Sequence, residues 1–205
     1  MRHYKFLFIL MFFCTLMNSY SMAAQSWDFI NEKDGIKIYT RKEAGKSLKS
    51  YKGITDINAP AGKIFALMED VNNTDWWDKN LTHIKVLLYE KNKRAQCYMV
   101  YKLPCLVPDR DLCVEVTNAI DPVTGECKMT VVSLPGVIPE NKNMVRINNY
   151  LQTWTITPTG KEMTHVVLEG FVDPAGHIPD WITNTLIINS PLKAIRELRS
   201  RMIKH

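Results

Sequence analysis

The chain has 205 residues, 46% hydrophobic and 23% charged, with a formal net charge of +5. That length suits one domain able to bury a core without staples. The mild basicity, with no Lys/Arg cluster beyond Arg196, Arg199, Arg201 and Lys204, argues against nucleic acid as a partner.

Residues 1–23 read as a secretory signal peptide. Arg2 and Lys5 supply the positive start and Phe6 to Leu16 the apolar run. Ser21-Met22-Ala23 places small residues where a signal peptidase reads them, so cleavage is expected before Ala24. The run falls short of the roughly 20 residues that a membrane span needs. The segment holds two of the 26 basic residues and none of the acids, which leaves residues 24–205 at +3. The expected protein is exported, periplasmic or secreted, and soluble. Cys97, Cys105, Cys113 and Cys127 remain after cleavage. Their spacing matches neither a small stapled scaffold nor paired Cys-x-x-Cys metal ligands, and they read as free thiols.

Trp27 to Asn31 could form a short helical turn ahead of Asp34-Gly35, a hairpin-type turn signal. Ile36 to Arg41 alternates as a strand, and Leu48 to Ile57 follows as a second. Ala59-Pro60 opens a helix with the apolar face Ile64, Phe65, Leu67 and Met68, and Asn72 to Asp75 breaks it before Trp76-Trp77-Asp78. Four strand-like runs come next: His83–Glu90, Arg94–Leu103, Asp111–Ile120 and Glu126–Leu134. Two long strands, Val145–Thr157 and Met163–Val172, precede the breaker Asp173-Pro174-Ala175-Gly176. Pro179 and Asp180 suit the first turn of a terminal helix. Its apolar positions, Trp181, Ile182, Leu186, Ile188, Leu192, Ile195, Leu198 and Met202, keep close to a 3.6 period. Pro191 inside that helix should kink or loosen it, or fit it to a curved sheet. Hairpin-linked strands with helices on one face make the fold α+β.

In this order the pieces resemble a START domain, the lipid-transfer module with a helix-grip fold. The resemblance rests on Asp34-Gly35 with Ile36 to Arg41, Trp77-Asp78, Pro108-Asp109-Arg110-Asp111 and Val145-Arg146. It continues in Trp154 to Pro158 and in Asp173 to Pro179 with Trp181 and Asn184. It spans roughly Trp27 to Met202. The resemblance implies a curved antiparallel sheet wrapped around the terminal helix, one apolar internal cavity for one lipid, and the helix as a movable lid. Sterol-type members hold an acid and an arginine in that cavity; by placement relative to Arg110-Asp111, those positions fall on Cys97 and Val116. An uncharged lining implies a ligand with little polar character inside.

Strand parity sorts the candidates. If Val116 faces in, so do Leu112 and Val114, while Asp111, Cys113 and Glu115 face out. Cys97 likewise brings Met99 and Tyr101 inward. Trp154, Trp181 and Leu186 complete the expected lining. Arg110, Asp111 and Arg146 are expected to be structural hydrogen-bond or ion-pair residues, because neighbours on a strand point to opposite faces. His83, His165 and His177 lack metal-ligand spacing, and no cofactor is expected. The function this implies is non-catalytic binding and transfer of a lipid by a monomer that touches membranes transiently. The alternatives are a cyclase- or hydrolase-like enzyme of the wider helix-grip superfamily, or a signalling module whose output is the lid position.

Overall fold

The computed structural model describes residues 26–45, 48–78, 80–103 and 107–203. The expected signal peptide, Cys105 and Lys204 lie outside the described residues. The strands are β1 (Asp28–Lys33), β2 (Ile36–Lys42), β3 (Lys49–Ile57), β4 (Leu81–Glu90), β5 (Arg94–Tyr101) and β6 (Arg110–Ile120). They continue as β7 (Cys127–Ser133), β8 (Val145–Arg146), β9 (Asn149–Pro158) and β10 (Thr164–Asp173), with helices α1 (Ala61–Glu69) and α2 (Asp180–Ile203). One ten-stranded sheet runs β1-β2-β3-β10-β9-β7-β6-β5-β4, antiparallel throughout except for β8, which pairs parallel with the start of β6. Alternation puts Ile36, Ile38, Ile57, Leu112, Val114, Ile156, Val166 and Leu168 in the core, against Ile195 and Leu198 of α2.

Two glycines let the layers meet. A Cβ on Gly53 of β3 would stand 2.5 Å from Ile195 Cδ1 and 3.4 Å from Pro191 Cβ, so the bare glycine is what brings α2 down onto the sheet. On β10, a Cβ on Gly170 would collide with the ring of Tyr51, which lies across it. Pro191 is buried and α2 runs through it without interruption, so of the two readings given above, the fit to the sheet describes the observed contact.

Three local expectations need correction. Trp27 to Asn31 is not helical: Asp34 (φ 54°) and Gly35 (φ 69°) form a tight positive-φ turn that folds β1 back onto β2, with a bulge between Phe29 and Asn31. Val145–Thr157 is not one strand, because β8 leaves β6 after Arg146 and the chain joins β10 only from Asn149 and β7 from Leu151. The sequence reads Arg196 to Lys204 as the solvated end of the terminal helix, complementing its dipole, but the described arginines there also make specific contacts. Arg196 pairs with Asp34 at 2.6 Å, Arg199 donates to the Asp34 carbonyl at 2.7 Å, and Arg201 pairs with Asp75 at 2.7 Å.

Candidate functional site

Between the concave face of the sheet, α1 and α2 lies a cavity of about 470 Å³. The sheet supplies its floor through alternate residues: Leu112, Val114 and Val116 from β6, Met99 and Tyr101 from β5, Met129 and Val131 from β7, and Trp154 from β9. The roof is one stripe of α2, including Thr183, Leu186, Ile187, Ser190 and Ala194, which recur at helical spacing. Met68 and Val71 close the side from α1 and its exit. Cavities of this size hold a small-molecule ligand.

Of the residues expected on the wall, Met99, Tyr101, Leu112, Val114, Val116, Trp154 and Leu186 stand there, and Cys97 and Trp181 do not. Cys97 is on the inward face but fully buried, its short side chain sealed within the core, and burial pushes its thiol up to about 11. Trp181 is 60% exposed, because Ile182 and Thr183 take the inward face of the first turn of α2 and a 100° step turns Trp181 away. Cys97, Cys113 and Cys127 are free thiols.

The three residues expected to be structural divide into two arrangements. Arg146 grips Asp111 with two hydrogen bonds, Nε to Oδ1 and Nη2 to Oδ2, both 2.9 Å, and donates to the carbonyls of Ile138 and Pro139 at 3.0 and 3.2 Å. The Tyr98 hydroxyl donates to Asp111 Oδ2 at 3.0 Å. Arg146 thereby holds the Asp111 carboxyl below the usual carboxylate range against the opposing effect of burial. This fork ties the Ile138–Arg146 segment to the outer face of β6. Arg110, by contrast, faces the cavity side. Its guanidinium is 1% exposed and donates to the carbonyls of Pro174 (3.1 Å), Ala175 (2.9 Å) and Pro108. It therefore clasps the connection into α2 from the first residue of β6.

The cavity is more polar than the uncharged Cys97 and Val116 positions suggested. Tyr51, Tyr150, Gln152 and Asp78 share its wall with Tyr101. Gln152 Nε2 donates to the Tyr51 hydroxyl at 3.2 Å across the row β9-β10-β3, which Gly170 leaves open. Removal from water pushes the Tyr51 phenol up to about 12 and raises Tyr101 and Tyr150 as well, with the Asp78 charge adding to each. Sequence reasoning missed this group because its members come from β3, β5, β9 and the turn after α1. The legible signals were a glycine inside a strand and the Tyr150-x-Gln152 alternation.

Residues 52–199 match the family model described as polyketide cyclase / dehydrase and lipid transport. The chain is 31% identical over 177 residues to an uncharacterized protein of Pseudomonas aeruginosa, covering 86% of this chain and 87% of that one. It is 27% identical over 179 residues to the phosphatidylcholine transfer protein of Mus musculus, covering 83% and 81%. The same fold occurs in a STAR-related lipid transfer protein from Xanthomonas axonopodis, with a TM-score of 0.78 at 24% identity over 86% of this chain and 98% of that one.

Proposed function

Since the chain belongs to the polyketide cyclase / dehydrase and lipid transport family, we propose that it is a lipid carrier that holds one apolar ligand beneath α2. The observation that carries this reading is the cavity of about 470 Å³, floored by alternate apolar residues of the sheet and roofed by α2. Burial of apolar surface, at about 25 cal/mol per Å², supplies the affinity without a covalent step. The similarity to a phosphatidylcholine transfer protein supports the same class of ligand. Transfer follows if the roof moves: the exposed start of α2 is joined to the sheet by the Arg110 clasp, a small set of hydrogen bonds that can open and re-form.

The enzyme alternative needs a base within hydrogen-bond reach of a reacting atom. The phenols on this wall have raised pKa values and stay protonated near neutral pH, which suits them to donating hydrogen bonds to a bound ligand. The likeness to a phosphatidylcholine transfer protein makes non-catalytic carriage the preferred reading. We also take the protein to be an exported monomer that meets membranes transiently; export is proposed from residues 1–23 alone, and N-terminal sequencing from the envelope fraction should begin at Ala24.

The test of carriage is native mass spectrometry of residues 24–205. A lipid mass that organic solvent removes is the expected result. A protein that arrives empty and then refuses fatty acids, phospholipids and sterols would overturn it.

A further inference from the structure

The inward row of β6 follows the cavity from one end to the other. Arg110 stands beneath the start of α2 and Asn118 at the opposite end, a span of about 26 Å along the strand. Leu112 and Val114 in the middle are 1% exposed, but Ile120, next on the same face after Asn118, is 48% exposed. The apolar row therefore runs out of the cavity into solvent instead of stopping against a wall. Other residues lining this end are open too. Tyr89, on the inward face of β4 opposite Ala95, is 43% exposed, and Arg94 and Lys193 are exposed. Two polar atoms buried here, Asn118 Oδ1 and Arg196 Nε, have no partner among the described residues. Unpaired polar atoms are costly in a dry, sealed end and fit a rim that water reaches.

A strap crosses this end. β4 is the last strand of the sheet and pairs with β5 alone, with register shifts between Leu81 and His83 and between Val86 and Leu88. Its hairpin with β5 turns through Asn92, which has a φ of 59°. Glu69, the last residue of α1, reaches this hairpin: its Oε1 accepts the Tyr89 hydroxyl at 3.3 Å and the backbone N–H of Asn92. These are the side-chain hydrogen bonds that join α1 to the hairpin among the described residues. A carboxylate at a helix C-terminus opposes the helix dipole, and Glu69 is largely buried. Its position thus serves the hairpin and not α1.

We propose that the cavity is a tunnel with a second mouth between the end of α1 and the β4–β5 hairpin. Glu69 latches that mouth, and the tail of a single long apolar chain emerges through it. Ile120 and the 91% exposed Val123 give the emerging chain an apolar lip. This deepens the carrier reading and rests on it.

Saturated fatty acids from dodecanoic to hexacosanoic acid, measured by displacement of diphenylhexatriene, test the open end. Each enclosed methylene should tighten binding about fourfold until the chain spans the cavity. Further lengthening should keep affinity within about threefold of that maximum or above it; a steeper fall means a closed end and overturns the tunnel. Hydrogen exchange locates the tail. Hexacosanoic acid should alter exchange at residues 91–94 and 118–123, and dodecanoic acid should not. No difference between the two chains there overturns the tunnel, whatever the affinities. Glu69→Ala should speed release of hexacosanoic acid by about three- to tenfold, the worth of one or two hydrogen bonds, and that of dodecanoic acid less. Tyr89→Phe removes one hydroxyl and should act in the same direction, so a misfolded Glu69→Ala does not decide the matter. Equal effects on both chains, or none, overturn the latch. Failure of every fatty acid to bind overturns the tunnel, whereas carriage falls only if phospholipids and sterols are refused as well.

Discussion

Gly170 and Asp111 show how single positions set this molecule. The Tyr51 ring lies over Gly170 to reach Gln152, so Gly170→Ala must displace a buried aromatic side chain. The expected cost is about 1–3 kcal/mol in urea denaturation, as for other overpacked cores. Gly62→Ala in α1, where a Cβ meets open space, should instead stabilise by about 0.5–1 kcal/mol. Asp111 is the only carboxylate on Arg146 among the described residues. Asp111→Asn leaves a buried guanidinium unpaired and should cost about 3–5 kcal/mol. The pH dependence follows from the direction of the shift. The folded Asp111 pKa lies below its unfolded value, held there first by the hydrogen bonds from Arg146. Its contribution is thus complete above the ordinary carboxylate range and is lost as pH falls through the folded value. The urea midpoint of the native protein should drop below about pH 5 more steeply than that of Asp111→Asn.

Helix α2 divides into two halves with different attachments. From Pro191 onward, Leu192, Ile195, Leu198 and Met202 are buried, and three arginines bind Asp34 and Asp75. Before Pro191, only Ile182 and Thr183 are buried among the described residues; Leu186, Ile187 and Ser190 face the cavity, and Trp181 faces outward. Pro191 has no N–H to give the carbonyl one turn back, which weakens the joint between the halves. Hydrogen exchange should therefore be faster over residues 184–190 than over 192–202. Pro191→Ala restores the missing donor and should slow both that exchange and ligand release. Equal protection along the whole helix would show a rigid roof.

At the scale of the whole molecule, the sheet curves around a partly empty interior instead of filling it. Residues that a filled core would bury against each other, such as Leu112 and Leu186, face across a void. Voids forfeit packing contacts, so a ligand that fills this one should raise stability by mass action. At a hundredfold excess over Kd the gain is about 2.7 kcal/mol, readable as a rise in Tm with lipid concentration. An apolar compound that binds without raising Tm would have to bind the unfolded chain as well as the folded one.

The sequence by itself determined the order of the elements from β2 to β7 and of β10 and α2, the inward face of β6, the apolar period of α2 and the opposite-face placement of Arg110 and Asp111. Each depends on local periodicity or on turn chemistry within a few residues. It also carried the residues of the Asp111–Arg146 fork, though not their contact across the parallel pairing of β8 with β6. Only the tertiary structure decided that Cys97 is sealed while Met99 reaches the void, and that Trp181 points out. Those outcomes depend on which neighbour covers a side chain. The polar group of Tyr51, Tyr101, Tyr150, Gln152 and Asp78 likewise exists only once β3, β5, β9 and the turn after α1 enclose one space. Strand parity assigns a face to each residue, but the curvature of the sheet and the height of α2 above it decide which of those faces meet.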